Sequence, residues 1–257
     1  MPESDLSLLI DAARAAGEVA LHYWRQEPRI WDKPGDEGPV TEADFAVDNL
    51  LRETLLAARP DYGWLSEETE DDAARLTAER VFIVDPIDGT RAFIKGETSF
   101  AHALAVAERG KIIAGVIFLP AKKKLYSAAR GQGAHLNDAL VAPIVTPDPV
   151  PNLLATRVNF DPANWPGGVP EVRRHFRPSL AYRMALAADG SFDGMLTLRD
   201  SWEWDIAAGA LIAAEAGLEV SDRHGAALRF NNPHPKTPGV LALPQELHRD
   251  YVKALTP

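Results

Sequence analysis

The chain has 257 residues, 46% of them hydrophobic and 25% charged, with a net charge of -10 and no cysteine. That length supports one large domain or two small ones with a true core, and the composition excludes disordered and collagen-like chains. The acidic balance excludes broad contact with nucleic acid, and the missing cysteines exclude disulfides, thiolate metal sites and a cysteine nucleophile, so any metal is held by oxygen or imidazole.

The N-terminal residues lack a basic stretch followed by an apolar one, and the longest apolar run, Ile112 to Leu119, is far too short to span a membrane. A cytoplasmic protein without membrane contact is expected. From Ser4 to about Arg25, the spacing of Leu6, Leu9, Ala13, Ala16, Ala20 and Tyr23 predicts an amphipathic helix capped by Ser4. "EPRIWDKPGDEGP" reads as loop, because Pro fixes φ and Gly permits positive φ. A second helix is predicted from Thr41, with Val47, Leu50, Leu51 and Leu55 on one face.

"YGWLSEE" and "VFIVDP" read as short strands delivering carboxylates at their C-terminal ends, separated by a partly helical segment from Thr69 to Arg80. From Phe100 to Asn137 apolar strands alternate with turn residues, the pattern of an antiparallel meander. "ALVAPIVTPDPVPN", with four prolines, is the predicted junction between an N-terminal part, 1–140, and a C-terminal part, 141–257. Beyond it the expected order is a strand at "LLAT", a helix over "SLAYRMALAA", a strand at "FDGMLTL", a helix from Asp205 to Ala216 stopped by Gly217, strands at "LEVSD" and "GVLALP", and a closing helix. The class is mixed α/β.

"DPIDGT", from Asp85 to Thr90, suits Mg²⁺-assisted cleavage of a phosphate ester, because Mg²⁺ demands several hard oxygen ligands converging on one point. Gly89 and Thr90 would offer backbone N–H groups to a phosphate. The bland alternative is a solvated turn. "WLSEET", with Glu67 and Glu68, and "PVTEAD", with Thr41 and Asp44, are ordinary loop and helix-start acids when taken alone, and N-capping accounts for Asp205. The seven histidines show no ligand spacing and read as structural or solvated. Trp165 and Trp202 are candidates for stacking on a base, with ordinary packing the simpler reading.

Together, "VTEAD", "WLSEE", "DPIDGTRAF" and "EWDIAAG" resemble, in order and approximate spacing, the metal-binding segments of the inositol monophosphatase superfamily of lithium-sensitive, Mg²⁺-dependent phosphatases. The resemblance spans residues 5 to about 242. It implies a layered αβαβα sandwich and two or three Mg²⁺ ions. By similarity, Glu67, Asp85 and the Ile87 carbonyl bind the ion that activates water, which places Glu67 among the catalytic groups, and Asp85 bridges to a second ion completed by Asp88 and Asp205. Asp44 and Thr90 orient the attacking water and receive its proton. Gly89 and Thr90 hold the phosphate, and Asp205 and Arg91 meet the rest of the substrate.

Inositol-specific members carry an acid seven positions before the WD aspartate, where this chain has Leu198. "WLSEE", Arg91, "AFIKGE" and "YSAARGQG" look more like the 3'(2'),5'-bisphosphate nucleotidases, which remove the 3'-phosphate from adenosine 3',5'-bisphosphate. "RPSL", at Arg177 to Leu180, departs from relatives that place Gly before the Ser. Phosphatases acting on inositol 1-phosphate, other sugar phosphates or histidinol phosphate are the alternative, and a macromolecule-binding protein with incidental phosphatase activity is the alternative of another class. The expected partner is a small phosphorylated molecule, with no nucleic acid and a homodimer allowed.

Overall fold

Two amphipathic helices make the outermost layer. The computed structural model describes residues 4–33, 35, 38–142 and 149–256. α1 (Asp5–Tyr23) begins where the Ser4 hydroxyl accepts the Ser7 N–H at 3.1 Å, as the capping pattern predicts. Leu9, Ala13, Ala16 and Ala20 are fully buried on its inner face. Between the helices, the stretch read as loop contains a short antiparallel hairpin, β1 (Ile30–Asp32) against β2 (Pro39–Thr41). All three β1 residues are exposed, so no burial alternation marked them in the sequence. α2 (Glu42–Ala58) then buries Val47, Leu51 and Leu55 beside α1.

The next layer is a seven-stranded sheet in chain order: β3 (Gly63–Ser66), β4 (Arg80–Asp88), β5 (Ala101–Glu108), β6 (Lys111–Leu119), β7 (Lys124–Ala129), β8 (Ala134–Leu136) and β9 (Ala139–Val141). β3 and β4 are parallel, joined through a 3-10 turn at Ala73–Thr77, and every later pair is antiparallel, the predicted meander. Alternate residues face opposite layers. Phe82, Val84, Leu104 and Val106 pack with α1 and α2, whereas Val81, Ile83, Ala103 and Ala105 face the other way. A strand ending at Asp85 was expected; β4 instead runs on to Asp88 before the short α3 (Thr90–Ile94).

The centre of the predicted proline-rich junction, 143–148, lies outside the described residues. Beyond it, β10 (Asn152–Leu154), β11 (Arg173–His175), α4 (Leu180–Ala188), β12 (Gly194–Thr197), β13 (Ser201–Trp202), α5 (Glu203–Glu215), β14 (Glu219–Ser221), β15 (Lys236–Thr237), β16 (Val240–Leu243) and α6 (Gln245–Leu255) follow. A five-stranded sheet of order β11-β10-β12-β16-β14 forms the fourth layer, while β13 and β15 pair with each other. α4 and α5 lie between the two sheets, sharing one core with Ile83 and Ala105 on one side and Met195 and Val240 on the other. α6 covers the far face through Tyr251, against Leu153, Leu196 and Leu241. The result is the expected αβαβα sandwich.

α5 begins at Glu203, two residues before the expected start, so Asp205 lies in its first turn and does not cap it. The reason lies with the fully buried Glu203, whose carboxylate accepts the backbone N–H groups of Asn231 at 2.6 Å and Asn232 at 2.9 Å. α5 also sits close on β6. A Cβ added at Gly115 would stand 3.1 Å from both Cα and O of Ala208, so only glycine lets helix and strand approach this far. Gly115→Val is expected to cost about 1–3 kcal/mol by overpacking, read as a lower urea midpoint with unchanged m-value; a midpoint equal to the parent's would show that the layers yield freely.

Candidate active site

β4 contains one extra residue at the place where chemistry is expected. Asp85 pairs with Ala103 and Asp88 with Ala101, so three steps along β4 match two along β5. Residues 85 and 88 would face opposite sides of a regular strand; the bulge returns both to the face that meets α4 and α5. Pro86 lies within the bulge, and its carbonyl is held by Nδ1 of His102, a fully buried residue of β5. Burial pushes the His102 pKa down to about 4, so the ring stays neutral at physiological pH. His102 is therefore structural, as read from sequence.

α5 brings in the third carboxylate. One oxygen each from Asp85, Asp88 and Asp205 lies within 4.8 Å of the others, a grouping able to hold a metal ion. Both Asp85 oxygens are buried and meet no donor among the described residues, and the neighbouring Asp205 carboxyl can bond to Asp85 only when one of the two is protonated. Burial, then Glu67, Asp88 and Asp205, push the Asp85 pKa well above the carboxylate range. Asp205 is raised too, by burial, Asp88 and Glu67, with Arg199 opposing. Asp88 reaches only about 6, because burial is countered by the Ser179 hydroxyl at 2.7 Å, the Ala181 N–H at 2.6 Å and the charge of Arg183. Within "RPSL", Ser179 thus both caps α4 and supports Asp88.

Asp44 is buried in the first turn of α2 as half of a capping box. Its Oδ2 accepts the Thr41 N–H at 2.8 Å and the Thr41 hydroxyl at 2.6 Å, while Oδ1 lies 3.3 Å from the Thr90 hydroxyl. The same hydroxyl is 3.1 Å from the Ile87 carbonyl. Burial, only partly offset by Thr41, raises the Asp44 pKa to about 6. Gly89 precedes α3 with φ of 99°, and a Cβ there would meet the Ser99 carbonyl at 3.1 Å. A side chain is excluded on both counts.

Glu67 lines the same cavity as the three aspartates, but its carboxylate is engaged by Lys33 Nζ at 2.8 Å, which also contacts Glu68 at 2.7 Å. Burial would lower the Lys33 pKa, yet the two glutamates outweigh it and raise it. Glu68 is pushed up to about 7, chiefly by burial and by Glu67. Sequence reasoning missed Lys33, which sits in a Pro/Gly loop with no periodic signal. It also missed Arg183 and Arg199, which line the cavity with Arg91 and Lys95. Arg183 had a visible signal, as the lone charge in the apolar run of α4. Trp165 does not reach the cavity; it is buried against Phe160 and Tyr251. Trp202 also lies outside it, stacked on Trp204 with ring centroids 4.6 Å apart.

The cavity holds about 340 Å³, the size of a small-molecule site. No helix among the described residues is long and apolar enough to cross a membrane. The family model described as the inositol monophosphatase family matches residues 1–256. The chain belongs to the inositol monophosphatase family. It is 38% identical to the inositol-1-monophosphatase of Rhizobium meliloti, over 86% of each chain. It is 34% identical to the 3'-phosphoadenosine 5'-phosphate phosphatase of Mycobacterium leprae, over 91% of this chain and 87% of that one. The extragenic suppressor protein suhB from Bartonella henselae shares the fold with a TM-score of 0.81 and 29% identity, over 97% of both chains. Like other members of the inositol monophosphatase family, the chain is a metal-dependent phosphatase that hydrolyses phosphoric monoesters. Its donors fit that chemistry: oxygen alone, with Asp85 left uncompensated by the protein.

That uncompensated charge has a thermodynamic signature. Glu68, pushed up to about 7, keeps part of its proton near neutrality where the unfolded chain has lost it, and Asp85 and Asp205, both raised well above the carboxylate range, act in the same sense. Stability from a raised carboxyl pKa is complete below the unfolded value and lost as pH climbs through the folded one. His102 and His248, both lowered, act in the opposite sense but are largely neutral in both states here. The metal-free protein should therefore melt at a lower temperature at pH 8 than at pH 7, and Mg²⁺ should remove the difference. A metal-free Tm that rises over this interval would overturn the electrostatic account.

Proposed function

We propose that the enzyme is a 3'(2'),5'-bisphosphate nucleotidase that removes the 3'-phosphate of adenosine 3',5'-bisphosphate. The observation that carries this reading is the charge in one cavity, where Asp85, Asp88, Asp205, Glu67 and Glu97 share the lining with Arg91, Lys95, Arg183 and Arg199. Carboxylates suit the metal-assisted cleavage of one phosphate; the cations suit a second, uncleaved one. Leu198, where inositol-specific members carry an acid, is buried with Leu153 and Trp165 and offers no group to a sugar hydroxyl.

In this reading two or three Mg²⁺ ions are held by Glu67, Asp85, Asp88, Asp205 and the Ile87 carbonyl. When bound, they supply charge stabilisation to the phosphoryl oxygens and acidify water. Asp44, with a pKa near 6, is poised to take a proton at neutral pH, and its rigid capping box aims Oδ1 toward Thr90. Asp44 and the Thr90 hydroxyl orient the attacking water, and the N–H groups of Gly89 and Thr90 seat the phosphate. Because phosphoryl transfer passes through a loose transition state, placed charge supplies most of the catalysis and no phosphoenzyme forms. The halves divide the work. Residues 1–140 bring Asp44, Glu67, Asp85 and Asp88, and residues 141–257 bring Asp205 and the arginines of α4 and the β12 end.

Inositol 1-phosphate is a second reading, supported by the relative from Rhizobium meliloti named for it. The two are separated by kcat/KM with Mg²⁺ for adenosine 3',5'-bisphosphate, inositol 1-phosphate, fructose 1,6-bisphosphate and histidinol phosphate. The nucleotide is expected to rank first, and any other order removes the nucleotidase assignment. Asp85→Asn keeps the side chain's shape while removing its ionisable carboxyl. Nearly all Mg²⁺-dependent turnover should disappear while the metal-free Tm rises above the parent's, and an unchanged Mg²⁺-dependent rate would sink the ligand assignment.

A further inference from the structure

Phe176, in the link between β11 and α4, is a large apolar side chain 48% exposed where it lines the catalytic cavity. Its ring is not loose. The Arg183 guanidinium carbon lies 4.7 Å from the ring centroid, close enough for a cation-π contact. Arg183 is itself buried and tied down, donating from Nε to the Arg177 carbonyl at 2.6 Å and from a terminal nitrogen to the Pro178 carbonyl at 3.3 Å. The link thus closes on itself: carbonyls 177 and 178 hold the arginine, and the arginine holds the ring of residue 176.

Pro178 and Leu180 line the cavity from the same segment, so this side of an otherwise charged pocket is apolar. None of these three side chains serves the carboxylate centre. A flat, half-exposed aromatic ring fixed from behind, beside cations suited to phosphate, matches a ligand that joins a planar ring system to phosphates. We infer that Phe176 is the platform on which the nucleobase of the substrate stacks, and that it sets selectivity for nucleotides over phosphorylated polyols. This rests on the nucleotidase reading above. A polyol ring presents hydroxyls to both faces and gains little from an aromatic surface, whereas any base has a π-face.

The test compares steady-state kinetics of the Mg²⁺-loaded parent with those of Phe176→Ala, Phe176→Leu and Phe176→Trp on adenosine 3',5'-bisphosphate and inositol 1-phosphate. The ratio of kcat/KM values on the two substrates is independent of the active fraction of each preparation. In Phe176→Ala and Phe176→Leu that ratio should fall about tenfold, through KM for the nucleotide, and Phe176→Trp should restore it. If the parent prefers the nucleotide but the ratio is unmoved by these variants, the stacking role is wrong while the nucleotidase reading survives. If the parent prefers inositol 1-phosphate, the substrate reading fails first. If Phe176→Trp behaves like Phe176→Ala, the ring serves only to pack Arg183 and the platform is refuted.

Discussion

Bringing three carboxylates within 4.8 Å of one another, two of them buried, is the constraint on which the rest of this molecule depends. Like charges at that distance repel strongly where water is scarce. The fold answers each one differently. Asp88 receives a hydroxyl and a backbone N–H from the start of α4. Asp205 faces Arg199, and Glu67 is met by Lys33. Asp85, fully buried, meets no donor among the described residues. The group left without a donor is thus the first residue of "DPIDGT", as expected where stability has been given up for function.

The layers explain how such a site is held in place. Asp85 and Asp88 come from the central sheet, while Asp205 comes from a helix pressed against that sheet so closely that a glycine is required at the contact. A helix resting on two sheets has little freedom to slide. The short approach between α5 and β6 therefore sets the spacing of carboxylates that lie more than a hundred residues apart in the chain.

Much of this was legible in the sequence because it is local. Ser4, Thr41 and Ser179 announce their helices by hydrogen bonds within three residues, and the meander from Phe100 onward shows as alternation with turns. What was hidden depends on partners. That Asp85 and Asp88 share one cleft was expected from "DPIDGT"; the means, an extra residue in register with β5 where a regular strand would point them apart, was not visible there. Strand β1 escaped notice because it is exposed throughout, and β11 because only its parallel pairing with β10 makes it a strand. Arg199 follows an ordinary apolar strand, and only the packing of α5 beside it gives it a role.

The contact between Lys33 and the two glutamates balances charge at one corner of the pocket from within the chain. An ammonium group tethered to the chain is a counter-ion present at fixed, high effective concentration. Small domains built around a structural metal remain unfolded until the ion arrives, since binding and folding are then one process. Here the chain supplies its own provisional cation to this corner of the acidic pocket. The native contacts of Glu67 and Glu68 are thus charge-balanced by a residue of the same chain.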